Sequence, residues 1–476
     1  MNKKNSYRVK AKQKIVASFL LMFVVIFLSG CGCKPAAQQR YTVELEVWGL
    51  FDDSDVYSDI FSVYTTYVNN NVSRINYRKF TPDTYKKELL DALATGQGPD
   101  IFLIHNTWLP IFGDKVVPAP TQILDEKRFR ENFVDVAVDD FLYQGQPYAA
   151  PLSINTLALF YNSDLLNEAG IVSPPTTWEE FVSDSKKMTR VSAGNKVTRS
   201  GAVMGTAYNI NRSVDIVSAL MLQGGTQMAD LPRGIALFDN VVRSGEKDVS
   251  AGENALDFYT QFANNSSSMY SWNMDSHYSL DAFSEGWAAM MLSYSWNIAT
   301  IQSKSPNLNF SIAPLPQLEG NQTINYANYW AFAVSKNKTA DVNYLKTKNL
   351  AAVSNEIRTA EAWKLISFLT TKNIGTSLDV AKQKGAIPMD YDPTVEYLKK
   401  TYNPAARRDL IERQKNDPIM GTFAVQNLTA RSWYQADPEA IEAIFLNMID
   451  EVNKGKSTVR EAIKSAGIRV TQLMQK

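Results

Sequence analysis

Residues able to do covalent or metal chemistry are scarce in this chain of 476 residues, which has only two His and two Cys. A Ser-His-Asp site, a zinc site or a disulfide framework has almost nothing to be built from. No metal and no cofactor is expected. A pair of carboxylates can hydrolyse a glycosidic bond only by flanking it from two sides. Asp52 and Asp53 are neighbours in one loop and do not meet that demand. Gly455-Lys456-Ser457 ends like a phosphate loop, but residue 450 is Asp where that motif needs Gly. Rings, by contrast, are plentiful: nine Trp and 22 Tyr. Sugars pack their C–H faces on such rings, and their hydroxyls bond to Asn, Asp, Arg and backbone groups. Trp48, beside Asp52 and Asp53, and the run His105, Asn106 and Trp108 fall at the ends of expected strands.

Basic and acidic side chains number 49 each. That balance argues against nucleic-acid binding, which wants a strongly basic domain. Hydrophobic residues at 45% and charged ones at 21% are those of a globular chain. The length implies two or three domains.

The amino terminus reads as a targeting signal. Lys3, Lys4, Arg8, Lys10, Lys12 and Lys14 precede an apolar run from Ile15 to Leu28. Basic first and apolar second is the layout of a secretory signal peptide, and the run is short for a spanning helix. It ends in Leu28-Ser29-Gly30-Cys31, which looks like a bacterial lipobox with Cys31 as the acylated residue. Cleavage there leaves 43 basic and 49 acidic side chains, a net charge of −6. The expected product is a lipoprotein on the outer face of the cell membrane. Cys33 then has no intrachain partner, and residues 31–40 read as a tether.

The elements that must position the rings follow from periodicity. Tyr41 to Trp48 alternates, with Val43, Leu45 and Val47 on one face. Ile75–Phe80 is a second strand. Thr81-Pro82 starts a helix that carries Tyr85, Leu89 and Leu93 on one face and stops at Gly96. Ile101–Ile104 is a buried strand. This β-α-β-α-β order predicts an α/β fold with mainly parallel sheets flanked by helices. In such sheets ligands sit beyond the carboxyl ends of the strands. A second set begins at Tyr148, with a strand at Leu157–Tyr161. Capping boxes at Thr177/Glu180 and Thr458/Glu461 open two further helices. Other helices are expected at 213–222, 251–264, 281–286, 356–370 and 439–453.

These pieces, in this order, resemble the family 1 extracellular solute-binding proteins of ABC importers, the group that includes maltose-binding protein. The resemblance runs over roughly 41–470. It is carried by YKKELLDALATGQGPDIFLIHNTW from Tyr85, YAAPLSINTLALFYNSDLLNEAG with PPTTWEEF from Tyr148, DAFSEGWAAMMLSYSW from Asp281, IAPLPQ with NYWAFAV from Ile312, and AWKLISFLTT with KGAIP from Ala362. It implies two lobes with a ligand cleft between them, joined by crossings near Ser153–Asn155, Tyr326–Trp330 and Gly385–Pro388. Lobe one would comprise 41–152 plus 331–385, and lobe two 156–326 plus 389–476. Lys338–Ala360 and Tyr402–Val425 depart from the family pattern.

The resemblance also implies ligand contacts. It points to the loop of Trp48, Asp52 and Asp53, and to His105, Asn106 and Trp108, although the family's usual ring at the position of Ile104 is missing. It points to Asn155 at the first crossing and to Tyr208, Asn211 and Arg212 ahead of a helix. Trp296, in Ser293-Tyr294-Ser295-Trp296, matches the family's stacking Trp, with Tyr294 beside it. Tyr329 and Trp330 lie at the second crossing, and Trp433 with Tyr434 matches a region that can supply a further ring. Each has a structural alternative: strand-end packing for Trp48, a backbone bond for His105, an interlobe bond for Asn155, a surface charge for Arg212, hinge packing for Tyr329 and Trp330, helix core for Trp433. Trp178, Trp287 and Trp363 read as structural.

The expected function is capture of a small solute, foremost a sugar or oligosaccharide, by a monomer that is not an enzyme. Delivery would be to separate importer subunits. A polyamine or a phosphate ester is the alternative solute. A non-transport lipoprotein of the same fold and, more distantly, a glycosidase are the alternative functions.

Overall fold

The computed structural model describes residues 41–244, 247–338, 353–372 and 376–475. The leader 1–30, Cys31, Cys33 and the tether lie outside the described residues, as do residues 339–352 of the departure at Lys338–Ala360. Val43–Lys476 form one unit.

The first sheet grows from the alternating strand. In Val43–Gly49, Val43, Leu45 and Val47 are buried while Glu44 and Glu46 are half-exposed. This strand pairs in parallel with Val72–Lys79 on one side and Ile101–His105 on the other. Between these strands run the helices Ser54–Val63 and Pro82–Ala94. Pro82 sits in the first turn, where its missing N–H costs nothing, and Tyr85 and Leu89 are the buried face. The capping boxes at Thr177/Glu180 and Thr458/Glu461 are both formed.

Pairing beyond those strands departs from a mainly parallel sheet. Trp330–Ser335 lies antiparallel to Ile101–His105, and Val116–Val117 and Ala149–Ala150 lie antiparallel to Trp330–Ser335. The second sheet centres on Ala158–Asn162, antiparallel to both Met290–Ser293 and Phe310–Ala313. The reason is topological. Trp330 and Ala158 each begin just after a crossing, so their strands run away from it. Their neighbours run towards it. The carboxyl ends at Gly49, His105, Ser293 and Ala313 therefore all face the crossings, the arrangement in which α/β sheets hold ligands.

A small third sheet joins the two. Asn325–Asn328 is its middle strand, antiparallel to Asn155–Thr156 and parallel to Ala430–Arg431. Asn155 of the first expected crossing and Tyr326–Asn328 of the second lie in its strands. Beyond Gly385–Pro388, the third expected crossing, the chain stays against the first sheet's helices. The helix Pro393–Thr401, assigned in sequence to lobe two, packs instead with the first sheet's helices. Tyr397 stacks on Tyr57 with centroids 5.7 Å apart, and Lys400 pairs with Asp59 at 2.9 Å. Arg407 binds back to Asp392, and Arg408 pairs with Asp135 at 2.5 Å. The chain enters the second core only at Met420 and Phe423. Sequence periodicity could not show this, because an amphipathic helix buries its face equally well against either lobe.

The second core holds Trp178, whose Nε1 donates to Gln223 at 2.6 Å, and Trp272. Trp363 is fully buried and donates to the Val117 carbonyl at 3.0 Å. Among the described residues no helix is long and apolar enough to cross a membrane.

Candidate functional site

Three strand ends, at Gly49, His105 and Ser293, and two crossings leave a cavity of about 510 Å³ where they meet. Phe51 and Asp52 enter it from the loop after the first strand, and Asn155, Asn328 and Trp330 from the crossings. Arg212 and Trp296 enter from the second sheet's side, and Tyr397, Tyr402 and Asn403 from the 393–403 segment.

The loop after Gly49 is held tightly. A Cβ at Gly49 would lie 2.1 Å from the Tyr77 hydroxyl, so only glycine lets that ring approach. The Tyr77 hydroxyl donates to the Asp52 carbonyl at 3.0 Å. The Asp52 carboxylate accepts on Oδ2 from Tyr57 (2.8 Å) and Tyr397 (3.1 Å). Burial raises its pKa, and the two phenols oppose that rise. Its second oxygen has no hydrogen bond among the described residues and can accept one from a ligand.

Trp296 lines the same cavity from the second sheet's side. Its indole is 38% exposed and lies flat on the buried ring of Tyr294, with centroids 4.2 Å apart and planes at 12°. Tyr294 is pinned by donating to Asp215 at 2.7 Å. The Arg212 guanidinium lies over the Trp296 ring at 5.9 Å. Arg212 has φ of 60°, a strained conformation for a residue with a Cβ, and sits at the start of the helix Ser213–Gln223. Asn155 accepts from Ser295. Trp330 meets Phe51 edge-on at 5.8 Å, and Phe51 is 58% exposed.

Of the residues nominated from sequence, Asp52, Asn155, Arg212, Trp296, Tyr329 and Trp330 border this cavity. The ring of Tyr329 is buried and its hydroxyl turns away to Asp140 at 2.7 Å. The others lie elsewhere. Trp48 is buried against Phe80 (4.3 Å) and donates to Glu46 at 2.7 Å. Asp53 points outwards to Lys79 at 2.8 Å. Trp108 is buried against Phe112 at 5.4 Å and Trp330 at 4.9 Å, so it backs the cavity. His105 bonds to Thr107 (2.8 Å) and Asn328 (3.0 Å), and burial lowers its pKa to about 4. Tyr208 is exposed and donates to Asn447 at 3.2 Å, and Asn211 donates to Tyr278 at 3.1 Å. Tyr294 is fully buried beneath Trp296.

Asn106 and Trp433 border a separate hollow of about 470 Å³, with Tyr143, Tyr148, Tyr434 and Asp140. Trp433 packs on Phe445 at 5.8 Å. Asp140 accepts from Tyr329, from Asn106 (3.2 Å) and from Ser432, and burial pushes its pKa up to about 7.

Sequence reasoning missed Phe51, Asn328, Tyr397, Tyr402 and Asn403. Phe51 had a signal, since it follows the same strand end as Asp52. Tyr397 had none, because its helix was assigned to the other lobe.

A sequence model described as bacterial extracellular solute-binding protein matches residues 74–374. The chain belongs to that family. This solute-binding protein is 23% identical over 376 residues to the galactooligosaccharide-binding protein of Bacillus subtilis, covering 73% of this chain and 82% of that one. A putative binding protein of Brucella abortus is 20% identical over 415 residues, covering 84% and 86% of the two chains. In fold it is similar to the cyclic alpha-maltosyl-1,6-maltose binding protein from Arthrobacter globiformis. There the TM-score is 0.68 at 17% identity, over 91% of this chain and 99% of that one. The likeness is one of two-lobed architecture.

Proposed function

We propose that this solute-binding protein captures a sugar or oligosaccharide in the 510 Å³ cavity and passes it to an ABC importer without turning it over. The observation that carries this reading is the Trp296 platform. An exposed indole, backed by a stacked and hydrogen-bonded Tyr294, shares the cavity with a carboxylate oriented by two phenols. A flat apolar face together with a fixed acceptor suits a molecule with a C–H face on one side and hydroxyls on the other. The galactooligosaccharide-binding relative supports the same class. Closure follows because a solute touching both sides of the cavity binds the closed state more tightly. Contacts of the 393–414 segment support a lobe one that takes in, of the described residues, 43–152, 331–338, 353–372 and 376–414, and a lobe two of 156–244, 247–326 and 420–475. The lipobox at Cys31 supports a lipid anchor on the outer face of the cell membrane.

A thermal-shift screen of the chain lacking its leader, against neutral oligosaccharides, polyamines and phosphate esters, tests the reading. Saccharides should raise Tm by mass action. A response only to polyamines or phosphate esters would overturn it, as would a saccharide response that survives Trp296→Ala unchanged.

A further inference from the structure

Beneath the cavity runs a chain of hydrogen bonds whose direction can be derived. Asp215, in the helix Ser213–Gln223, accepts on Oδ2 from Tyr294 (2.7 Å) and from Asn328 Nδ2 (3.1 Å). A carboxylate only accepts, so it turns the Asn328 amide with NH₂ towards itself. The Asn328 oxygen then faces His105 Nε2 at 3.0 Å, and that nitrogen must carry the proton. His105 Nδ1 is left as an acceptor. One group agrees with this independently: the Thr107 backbone N–H, which can only donate, points at Nδ1 from 3.4 Å, and the Thr107 hydroxyl at 2.8 Å is then free to donate to it as well. Every link thus points one way, from the end of the first sheet, through the second crossing, to a helix of the second lobe. Such aligned chains polarise one another.

We infer that Asp215 is a positioning residue of the solute cleft. It ends a one-way relay from Thr107 through His105 and Asn328, and it pins Tyr294, the ring on which Trp296 rests. Asn328 is buried and both ends of its amide are engaged, whereas Asp215 is half-buried and holds both donors on one oxygen. The Trp296 platform and the join between first sheet and second crossing thereby share one acceptor. Asn328 thus stands between His105 of the first sheet and Asp215 of the second lobe, so the relay spans the two sides of the cleft.

The chain's two His make the test direct. Long-range ¹H–¹⁵N correlation of the ¹⁵N-His-labelled, leaderless chain at pH 7, without ligand, reads both tautomers. His277, paired with Glu285 at the surface, serves as reference. His105 should be neutral with Nε2 protonated and Nδ1 bare. A proton on Nδ1, or averaged signals, would overturn the relay. Asp215→Ala frees the Asn328 amide to turn. It should mix the His105 tautomers and weaken oligosaccharide binding about tenfold, as for one lost charge-assisted hydrogen bond. Asp215→Asn keeps the shape and should mix the tautomers too. Unchanged tautomer and affinity in a folded variant would sink the proposal. The inference about the cleft rests on the saccharide reading. Absence of any saccharide binding would remove that reading, whereas the ligand-free tautomer still judges the relay.

Discussion

At the scale of single residues, the site depends on side chains that do one thing each. Trp296 offers a face, and truncating an exposed ring central to a binding site costs about 2 kcal/mol or more. Trp296→Ala should therefore weaken saccharide binding by roughly thirtyfold in calorimetry, with Tm of the unliganded chain nearly unchanged. Trp48→Phe, by contrast, should leave affinity as it is, because that ring is packed on Phe80 outside the cavity. Asp140 is a different case. Its folded pKa of about 7 lies above the usual 3.8, so the folded chain holds its proton more tightly than the unfolded chain. Its contribution is complete below about pH 4 and is lost as pH rises through about 7. Melting temperatures across that window should fall for the native chain, and fall less for Asp140→Asn, which cannot ionise. Equal slopes would show that the carboxyl is not protonated there. Six nominated residues reach the cavity because strand-end and crossing positions are legible. Trp48 and Trp108 do not, because an indole next to a strand end can turn inwards as readily as outwards. Which way it turns depends on neighbours such as Phe80 and Phe112 from outside its own segment.

At the scale of elements, local signals were the clearest. Thr458 and Glu461 announce a helix start, and Val459–Met474 begins there with both bonds of the box formed. Thr458→Ala should lower the stability of the second lobe by about 1 kcal/mol, seen as a lower urea midpoint with an unchanged slope. Strand direction was less legible. The alternation of Trp330–Ser335 says it is a strand, but whether it runs with or against Ile101–His105 depends on the side from which the chain returns. The helix Pro393–Thr401 shows the same limit. Its cap at Asp392 and its apolar face are local, and its choice of Tyr57 as partner is not.

At the scale of the whole molecule, the two sides also meet away from the crossings. Lys86, on the helix Pro82–Ala94, pairs with Glu439, at the start of the helix Pro438–Asn453, at 2.8 Å. The first helix belongs to the first sheet's layer and the second to the second core. The pair is partly exposed, and such pairs contribute up to about 1 kcal/mol. Lys86→Ala should reduce solute affinity by no more than about fivefold at low salt. The difference should vanish near 1 M salt, where screening acts over about 3 Å. A deficit that persists in high salt would mean that Lys86 acts through its contact with the Trp108 ring instead.

What the sequence determined by itself was the inventory and the local order: few groups for chemistry, many rings, alternating strands, capped helices, and family motifs in their order. These depend on residue type and on spacing of a few positions, which any short segment carries within itself. Only the tertiary structure decided which rings face the cavity, which helices residues 393–401 pack on, and that Asp52 is oriented by Tyr57 from one segment and Tyr397 from another. Those outcomes depend on pairs up to 345 positions apart. Burial and hydrogen-bond partners at such separations are set by how whole elements stack, and spacing along the chain does not encode that.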